Sequence, residues 1–414
     1  MQTLPGFRDF YPDDCARRNY ILTKWREVAR RYGFVEYDGP VLEPLALYEK
    51  KSGGELVGQL FDFVDRGERH VAMRPEMTPT LARMVAARER DFKKPLKWFC
   101  VPQFFRYEKQ QRGRLREFYQ LNCDIIGEAS PAADAELIAL LIDTLRAFGL
   151  TERDFVVRLS DRDAWTRFAT SRGVAAERVL DFLAVVDKLE RDAPEQSAGK
   201  LAEFGISLEA VRAFIADPSA EAVKLAGIRD DLRARGLAGF IEIDLTIVRG
   251  LAYYTGLVFE VFDRSKNERA LAGGGRYDRL LGLMSDDKVE LPALGFGMGD
   301  VVLANLIADA PAAAAQRDAW LEREHTCDIY VVIAKEERRA DALALVQRLR
   351  ESGRRVDFPL AAAKVGRQFQ TAEQLGAARA LLVGDEWPQV KLKTLATREE
   401  RLIAIDALDD ALAT

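Results

Sequence analysis

Apolar positions recur at helical spacing near the start of the chain. Tyr20, Ile21, Trp25, Val28 and Ala29 form one stripe, predicting a helix over about 13–32 that Gly33 ends. Phe34-Val35-Glu36-Tyr37 then starts a strand that continues to Val41-Leu42, and residues 61–74 read as a hairpin about the turn Asp65-Arg66-Gly67-Glu68. A helix is expected from Thr80 to Glu89. Leu137, Leu140, Leu141 and Leu145 form a second stripe, opened by Ser130-Pro131 and stopped by Gly149. After a strand at Phe155–Ser160, residues 161–238 turn helical, with charges that read as a solvated face. Strand patterns return at Phe240–Val248, Leu257–Phe262 and Leu291–Gly299. A linker over about 308–326 leads to a last unit with strands near 328–333, 355–358 and 379–383 and helices near 338–351 and 369–375. This order predicts an α/β (α+β) chain. The expected parts are 1–160 and 239–310 (core), 161–238 (helical insertion) and 327–414 (C-terminal α/β domain).

The stretch 97–127 departs from a simple buried sheet. Its two ends read as strands and its polar middle, around Gly113, as the loop of a long antiparallel hairpin. Alternation puts Gln120, Asn122 and Asp124 on one face and Tyr119, Leu121, Cys123 and Ile125 on the other; Phe104, Arg106 and Glu108 fall together by the same count. A face so polar does not pack against an apolar layer, because unpaired buried polar groups are costly. It calls for water or a polar ligand. The loop adds Lys109, Arg112, Arg114 and Arg116, cations suited to phosphate.

Two further segments carry candidate chemistry. In Arg74-Pro75-Glu76-Met77-Thr78-Pro79, the Glu76 carboxylate and Thr78 hydroxyl are acceptors for an ammonium group, while Thr78 or Thr80 can equally cap the next helix. Gly273-Gly274-Gly275 is disfavoured in helix and strand alike, and reads either as a loop or as backbone passing close to a ligand.

Composition narrows the classes. A chain of 414 residues with 48% hydrophobic content supports two or three domains. A net charge of −5 leaves local basic patches, not a global field, to hold any nucleic acid. The 4 Cys are scattered and only 2 His are present, so neither a metal site nor a disulfide framework is expected, and His70 reads as an ordinary strand residue. The opening Met1–Phe10 lacks a leader pattern and no apolar run reaches membrane-spanning length, so the expected location is cytoplasmic, without a membrane partner.

Phe105-Arg106-Tyr107-Glu108, the Arg-rich loop and Arg116-Glu117-Phe118-Tyr119-Gln120 together resemble the second motif of class II aminoacyl-tRNA synthetases. With Gln120 and Asp124 spaced by four, the form is similar to the histidyl-tRNA synthetase family. Arg249-Gly250-Leu251-Ala252-Tyr253-Tyr254-Thr255-Gly256 resembles a motif peculiar to that family, with Ala252 where it usually has Asp. Ala272-Gly273-Gly274-Gly275-Arg276-Tyr277-Asp278 resembles its second histidine-specific motif. The helix–Gly33–strand start resembles motif one, which forms the family's dimer interface, and Leu291–Gly299 with Asp300 resembles motif three; there the class II Arg that faces the γ-phosphate falls on Val302. Gln374-Leu375-Gly376-Ala377, followed by a strand, resembles the family's anticodon-binding domain.

The resemblance implies a class II synthetase-type fold, an antiparallel sheet flanked by helices, and a homodimer that uses ATP with Mg²⁺ to activate L-histidine, then transfers it to tRNA(His). It assigns Arg106 and Arg249 to catalysis at the α-phosphate. Glu76, Thr78, Gln120, Asp124, Tyr253 and Tyr254 would bind histidine; Arg106, Glu108, Arg114 and Arg276 would bind ATP. With Val302 in place of the Arg, the loop cations Arg112, Arg114 or Arg116 are expected to carry the outer phosphates. A second reading stays open: a non-catalytic histidine-binding paralogue, such as the regulatory subunit of ATP phosphoribosyltransferase. Val302 and Ala252 favour it; the Arg-rich loop and the C-terminal domain favour the ligase.

Overall fold

The structure, a computed structural model, describes residues 2–50, 58–109, 111, 113–189, 192–217, 223–248, 253–265, 269–324 and 327–413. They divide into two compact units, Met1–Arg317 and Asp318–Thr414. Strands of the first unit are β1 (Val35–Glu36), β2 (Leu42–Pro44), β3 (Asp62–Val64), β4 (His70–Met73), β5 (Leu96–Cys100), β6 (Gln103–Phe105), β7 (Glu117–Ile126), β8 (Phe155–Asp161), β9 (Ile241–Ile243), β10 (Thr255–Asp263), β11 (Ala272–Arg276) and β12 (Ala293–Gly299). The main sheet runs β1-β5-β7-β12-β11-β10-β8-β9, with β6 on the other part of β7, and β2-β4-β3 form a separate small sheet. Pairing is antiparallel except at β1–β5 and β8–β9.

Both expected helical stripes are the buried faces of helices. Helix Pro12–Arg31 buries Tyr20, Ile21, Trp25, Val28 and Ala29, and helix Pro131–Arg146 buries Leu137, Leu140, Leu141 and Leu145. The two helices pack on each other and on β7, and Tyr20 meets Phe148 edge-on at 5.5 Å between ring centroids. Each such leucine removed from water stabilises the fold by roughly 1.5–3 kcal/mol.

Three local expectations change. Residues 34–42 are not one strand: β1 joins the main sheet and β2 the small one. Buried Arg74 fixes the crossing between them, its Nη1 donating to Asp38 Oδ1 at 2.8 Å and to the Gly39 carbonyl at 2.7 Å. The strand expected to reach Val248 stops at Ile243. Asp244 Oδ1 accepts from the Thr246 N–H (2.9 Å) and hydroxyl (2.6 Å), a side-chain turn that competes with the ladder. The helix Thr78–Ala87 has no side-chain cap, and the buried Thr80 hydroxyl donates instead to Glu43 at 3.1 Å.

Helices between Arg162 and Ala216 surround Trp165, Phe168, Phe182, Leu201 and Val211, together with Leu245 and Val248 from the following chain. Trp165 Nε1 donates to the Leu245 carbonyl at 2.8 Å, fastening that cluster to the segment beyond it. Helix Val223–Ala234 packs on Pro131–Arg146, and Arg235 pairs with Glu136 at 2.8 Å.

In the second unit the sheet order is β14 (Val356–Asp357), β13 (Ile329–Ile333), β15 (Arg379–Val383), β16 (Gln389–Thr394), β17 (Glu400–Ala404), with helices Arg339–Glu351 and Val365–Gln374. The strands expected near 328, 355 and 379 are its parallel part. The antiparallel β16–β17 hairpin, in which Val390 and Leu392 alternate with exposed or half-buried polar residues, was not anticipated.

Candidate active site

The floor of the site follows from the β7–β12 register. Gly295 lies opposite Asp124, Gly297 opposite Asn122 and Gly299 opposite Gln120. Since side chains alternate, the Gly-x-Gly-x-Gly spacing leaves this face of β12 bare, while Leu294, Phe296 and Met298 are buried. A Cβ at Gly295 would collide with the Asp124 carboxylate, and one at Gly297 would come within 2.8 Å of the Gln120 amide. The bare strand is therefore where the polar side chains of β7 lie. On β11 the pairing continues, Gly273 opposite Gly297 and Gly275 opposite Gly295.

The glycine triplet is accordingly a strand, and its members differ. Gly273 lines the site, whereas a Cβ at Gly275 would lie 2.6 Å from the Leu257 carbonyl oxygen, 3.0 Å from Val258 and 3.1 Å from the Tyr254 ring. Gly274 has a packing reason: a Cβ there would lie 2.7 Å from the Phe259 ring and from Phe296 Cβ.

Two adjoining cavities open on this floor. The inner one, about 230 Å³, is lined by Glu76, Thr78, Asp124, Tyr253 and Tyr254 among others, and all six expected histidine contacts, Gln120 included, are on its wall. Tyr277, which the sequence reading passed over, joins them. Its hydroxyl donates to Asp124 Oδ1 at 2.5 Å, and Tyr253 stands edge-on to it at 6.3 Å. Burial first, and the Asp124 carboxylate second, push the Tyr277 phenol well above its ordinary pKa, so it stays protonated and a donor. The signal was present, since Tyr277 directly follows Arg276 in the segment already singled out.

The outer cavity, about 730 Å³, lies within the size range of nucleotide- and drug-sized sites. Arg106, Gln120, Gly273 and Gly297 line both cavities. Arg106 Nε donates to the Pro75 carbonyl at 2.9 Å, and its guanidinium lies over the Phe118 ring at 5.4 Å. Glu108 and Arg114 both line the outer cavity, paired with each other at 2.6 Å.

Other expected residues are not brought there. Arg116 turns away, stacking on Tyr107 at 4.1 Å with its Nε donating to the Glu108 carbonyl at 3.3 Å. Arg276 is the clearest correction. It is 5% exposed and held in a separate polar nest: Nε pairs with Asp134 at 2.7 Å, and its Nη atoms donate to the Glu128 and Ser130 carbonyls at 3.2 and 3.0 Å. Its position on β11 puts it on the face opposite Gly273 and Gly275. Arg276→Met should therefore lower stability by roughly 2–3 kcal/mol, the cost of taking the buried guanidinium partner away from Asp134, in thermal melts. The KM for ATP should stay within about twofold, since only a cation bound to nucleotide would raise it. Arg249, Ala252 and Arg112 lie outside the described residues.

At the position of the motif-three cation, Val302 and its neighbour Val301 line the outer cavity as an apolar wall. The adjacent Asp300 points inward, accepting from Arg8 Nη1 at 3.0 Å and from the Tyr119 N–H at 3.0 Å; burial raises its pKa against the pull of Arg8. Among the described residues no group of three or more His, Cys, Asp or Glu side chains is arranged to hold a metal ion. Nor is any described helix long and apolar enough to cross a membrane.

A largely antiparallel sheet carrying these adjoining cavities on its central strands is the catalytic fold of a class II aminoacyl-tRNA synthetase. Residues 6–300 match the family model "Histidyl-tRNA synthetase", and residues 328–414 match "Anticodon binding domain". A histidine--tRNA ligase of Opitutus terrae is 45% identical, covering 97% of this chain and 95% of that protein; one of Leptospira biflexa is 36% identical, covering 95% and 93%. The fold is also that of the crystal structure of histidyl-tRNA synthetase from Nostoc sp. PCC 7120, with TM-score 0.78 and 23% identity over 99% of this chain and 98% of that one. The chain belongs to the histidyl-tRNA synthetase family.

Proposed function

We propose that the chain is a ligase that activates L-histidine with ATP and transfers it to tRNA(His). The observation that carries this reading is the shared wall of the two cavities. A histidine in the inner cavity directs its carboxylate at the boundary where Arg106 stands, and an ATP in the outer cavity brings its α-phosphate to the same boundary. The carboxylate oxygen attacks the α-phosphorus in line, the bond to the bridging oxygen breaks, and pyrophosphate leaves with that electron pair. The ribose hydroxyl at the tRNA terminus next attacks the activated carbonyl and AMP departs. Neither step requires a shuttling histidine; both need reactants held in register and charge neutralised as it develops.

In this proposal Glu76 and Thr78 receive the substrate ammonium, Gln120 and Asp124 address the polar edges of histidine, and Tyr253 and Tyr254 wall the imidazole. Arg106 clamps the α-phosphate, with Arg249 as its partner cation by family resemblance. Glu108 and Arg114 face the nucleotide. Mg²⁺ prefers oxygen donors and binds through one or two carboxylates plus phosphate. Glu108 and Glu260, both on the outer wall, are the donors that would hold it, and its charge would offset that of the phosphates.

The four-part division at 1–160, 161–238, 239–310 and 327–414, a cytoplasmic location and a homodimer belong to the same proposal. Exposed Leu42, Phe63 and Val64 on the small sheet support the last. The alternative of a histidine-sensing regulatory subunit is not favoured: histidine--tRNA ligases align along nearly the whole chain, through the anticodon-binding domain. Histidine-dependent exchange of pyrophosphate into ATP tests the reading. Exchange is expected, and histidine binding without exchange would overturn it.

A further inference from the structure

Among the described residues three guanidiniums line the outer cavity: Arg106, Arg114 and Arg269. Arg106 sits at the boundary with the inner cavity, and Arg114 is paired with Glu108. Arg269, in the connection between β10 and β11, differs from both. Its Nη2 donates to the side-chain oxygen of Gln111, a neutral amide. Gln111 forms a bridge with Arg114, whose N–H donates to the Gln111 carbonyl at 2.9 Å. Arg269 and Arg114 are thus drawn to one edge of the cavity, while the β12 side offers Gly297, Gly299, Val301 and Val302. The charged residue on that side, Asp300, faces Arg8 and the Tyr119 amide.

We propose that Arg269 is a ligand of the outer phosphates of ATP, taking the part for which the valine wall has no cation. This deepens the reading of the outer cavity as the ATP site and rests on it. The α-phosphate lies at Arg106, so the chain of phosphates runs toward the edge where Arg114 and Arg269 converge, and the purine is left to the wall of Phe118, Val301 and Val302. A guanidinium on a neutral amide lacks the attraction between opposite charges that an ionised phosphate oxygen adds, so phosphate is the stronger acceptor. Gln111 is therefore a stand-in that ATP displaces. The guanidinium fork, unlike an ammonium, meets two phosphate oxygens at once.

Calorimetry in Mg²⁺ buffer with ATP and with AMP, on wild type, Arg269→Ala, Arg269→Lys and Gln111→Ala, decides the matter. Arg269→Ala should weaken ATP binding roughly tenfold or more while AMP binding stays within about twofold, and lysine should restore part of the loss. In exchange kinetics the same variant should raise the KM for ATP and leave that for histidine unchanged. Gln111→Ala breaks the contact across the two loops but keeps the cation, so ATP binding should not weaken. Equal losses for ATP and AMP, or a Gln111→Ala variant as impaired as Arg269→Ala, would make Arg269 a structural strap and overturn the proposal. If wild type shows no histidine-dependent exchange, the ligase reading falls, whereas the ATP-to-AMP contrast still decides the role of Arg269.

Discussion

Arg106→Ala is expected to lower the rate of histidine-dependent ATP–pyrophosphate exchange by about 10²–10³-fold, with little change in melting temperature. The effect on rate follows from its place on the wall common to both cavities, where carboxylate and α-phosphate meet and negative charge builds on the equatorial oxygens. Removing one preorganised donor to such charge costs that much in comparable sites. Stability should change little because the side chain is only half-buried and gives up one hydrogen bond, to the Pro75 carbonyl. Arg106→Lys keeps the charge but loses the planar fork and the stacking on Phe118, so it should recover only a fraction of the rate. An alanine variant exchanging at near the wild-type rate would remove Arg106 from the transition state.

Asp124→Ala should weaken histidine binding about 100-fold and leave ATP binding untouched, as read by calorimetry with each ligand separately. Asp124 is buried on the wall of the inner cavity and is absent from the outer one. Tyr277 holds one carboxylate oxygen and stays protonated, which fixes the carboxylate as an acceptor for a substrate N–H. A site built to pair with polar ligand atoms discriminates strongly, because an apolar competitor leaves buried groups unsatisfied. Asp124→Ala should therefore lose selectivity against apolar amino acids together with affinity. Equal losses for histidine and ATP would place Asp124 outside the imidazole pocket.

The parts legible in the sequence are those governed by one short period. Spacing of 3.6 exposed the buried stripes of Pro12–Arg31 and Pro131–Arg146, and alternation separated the polar face of β7 from its apolar one. Arg276 was assigned to the nucleotide by resemblance, with the glycine triplet left open between a loop and backbone close to a ligand. Treated as a strand, the same alternation sets Arg276 and Gly273 on opposite faces. Arg269 carries no local mark at all: it reaches the cavity only because β10 and β11 pair and bring their connection against the hairpin loop, a closure that spans well over a hundred residues. The end of the strand at Ile243 was equally hidden, since the Asp244 side-chain turn outcompetes a favourable run of apolar residues.

The bare face of β12 and its continuation on β11 have a consequence for how this protein fails. The space for ligand is made by side chains that are missing, and every codon change that leaves glycine adds atoms. At Gly295 or Gly297 the extended backbone itself accepts other residues, so the lesion is a matter of volume: the added group pushes Asp124 or Gln120 out of place while the hydrogen-bonded ladder persists. Such alleles should accumulate as folded but inactive chains. Where subunits assemble in pairs, an inactive chain of this kind can still enter a pair with an intact one, a poisoning effect that an unfolded product cannot exert.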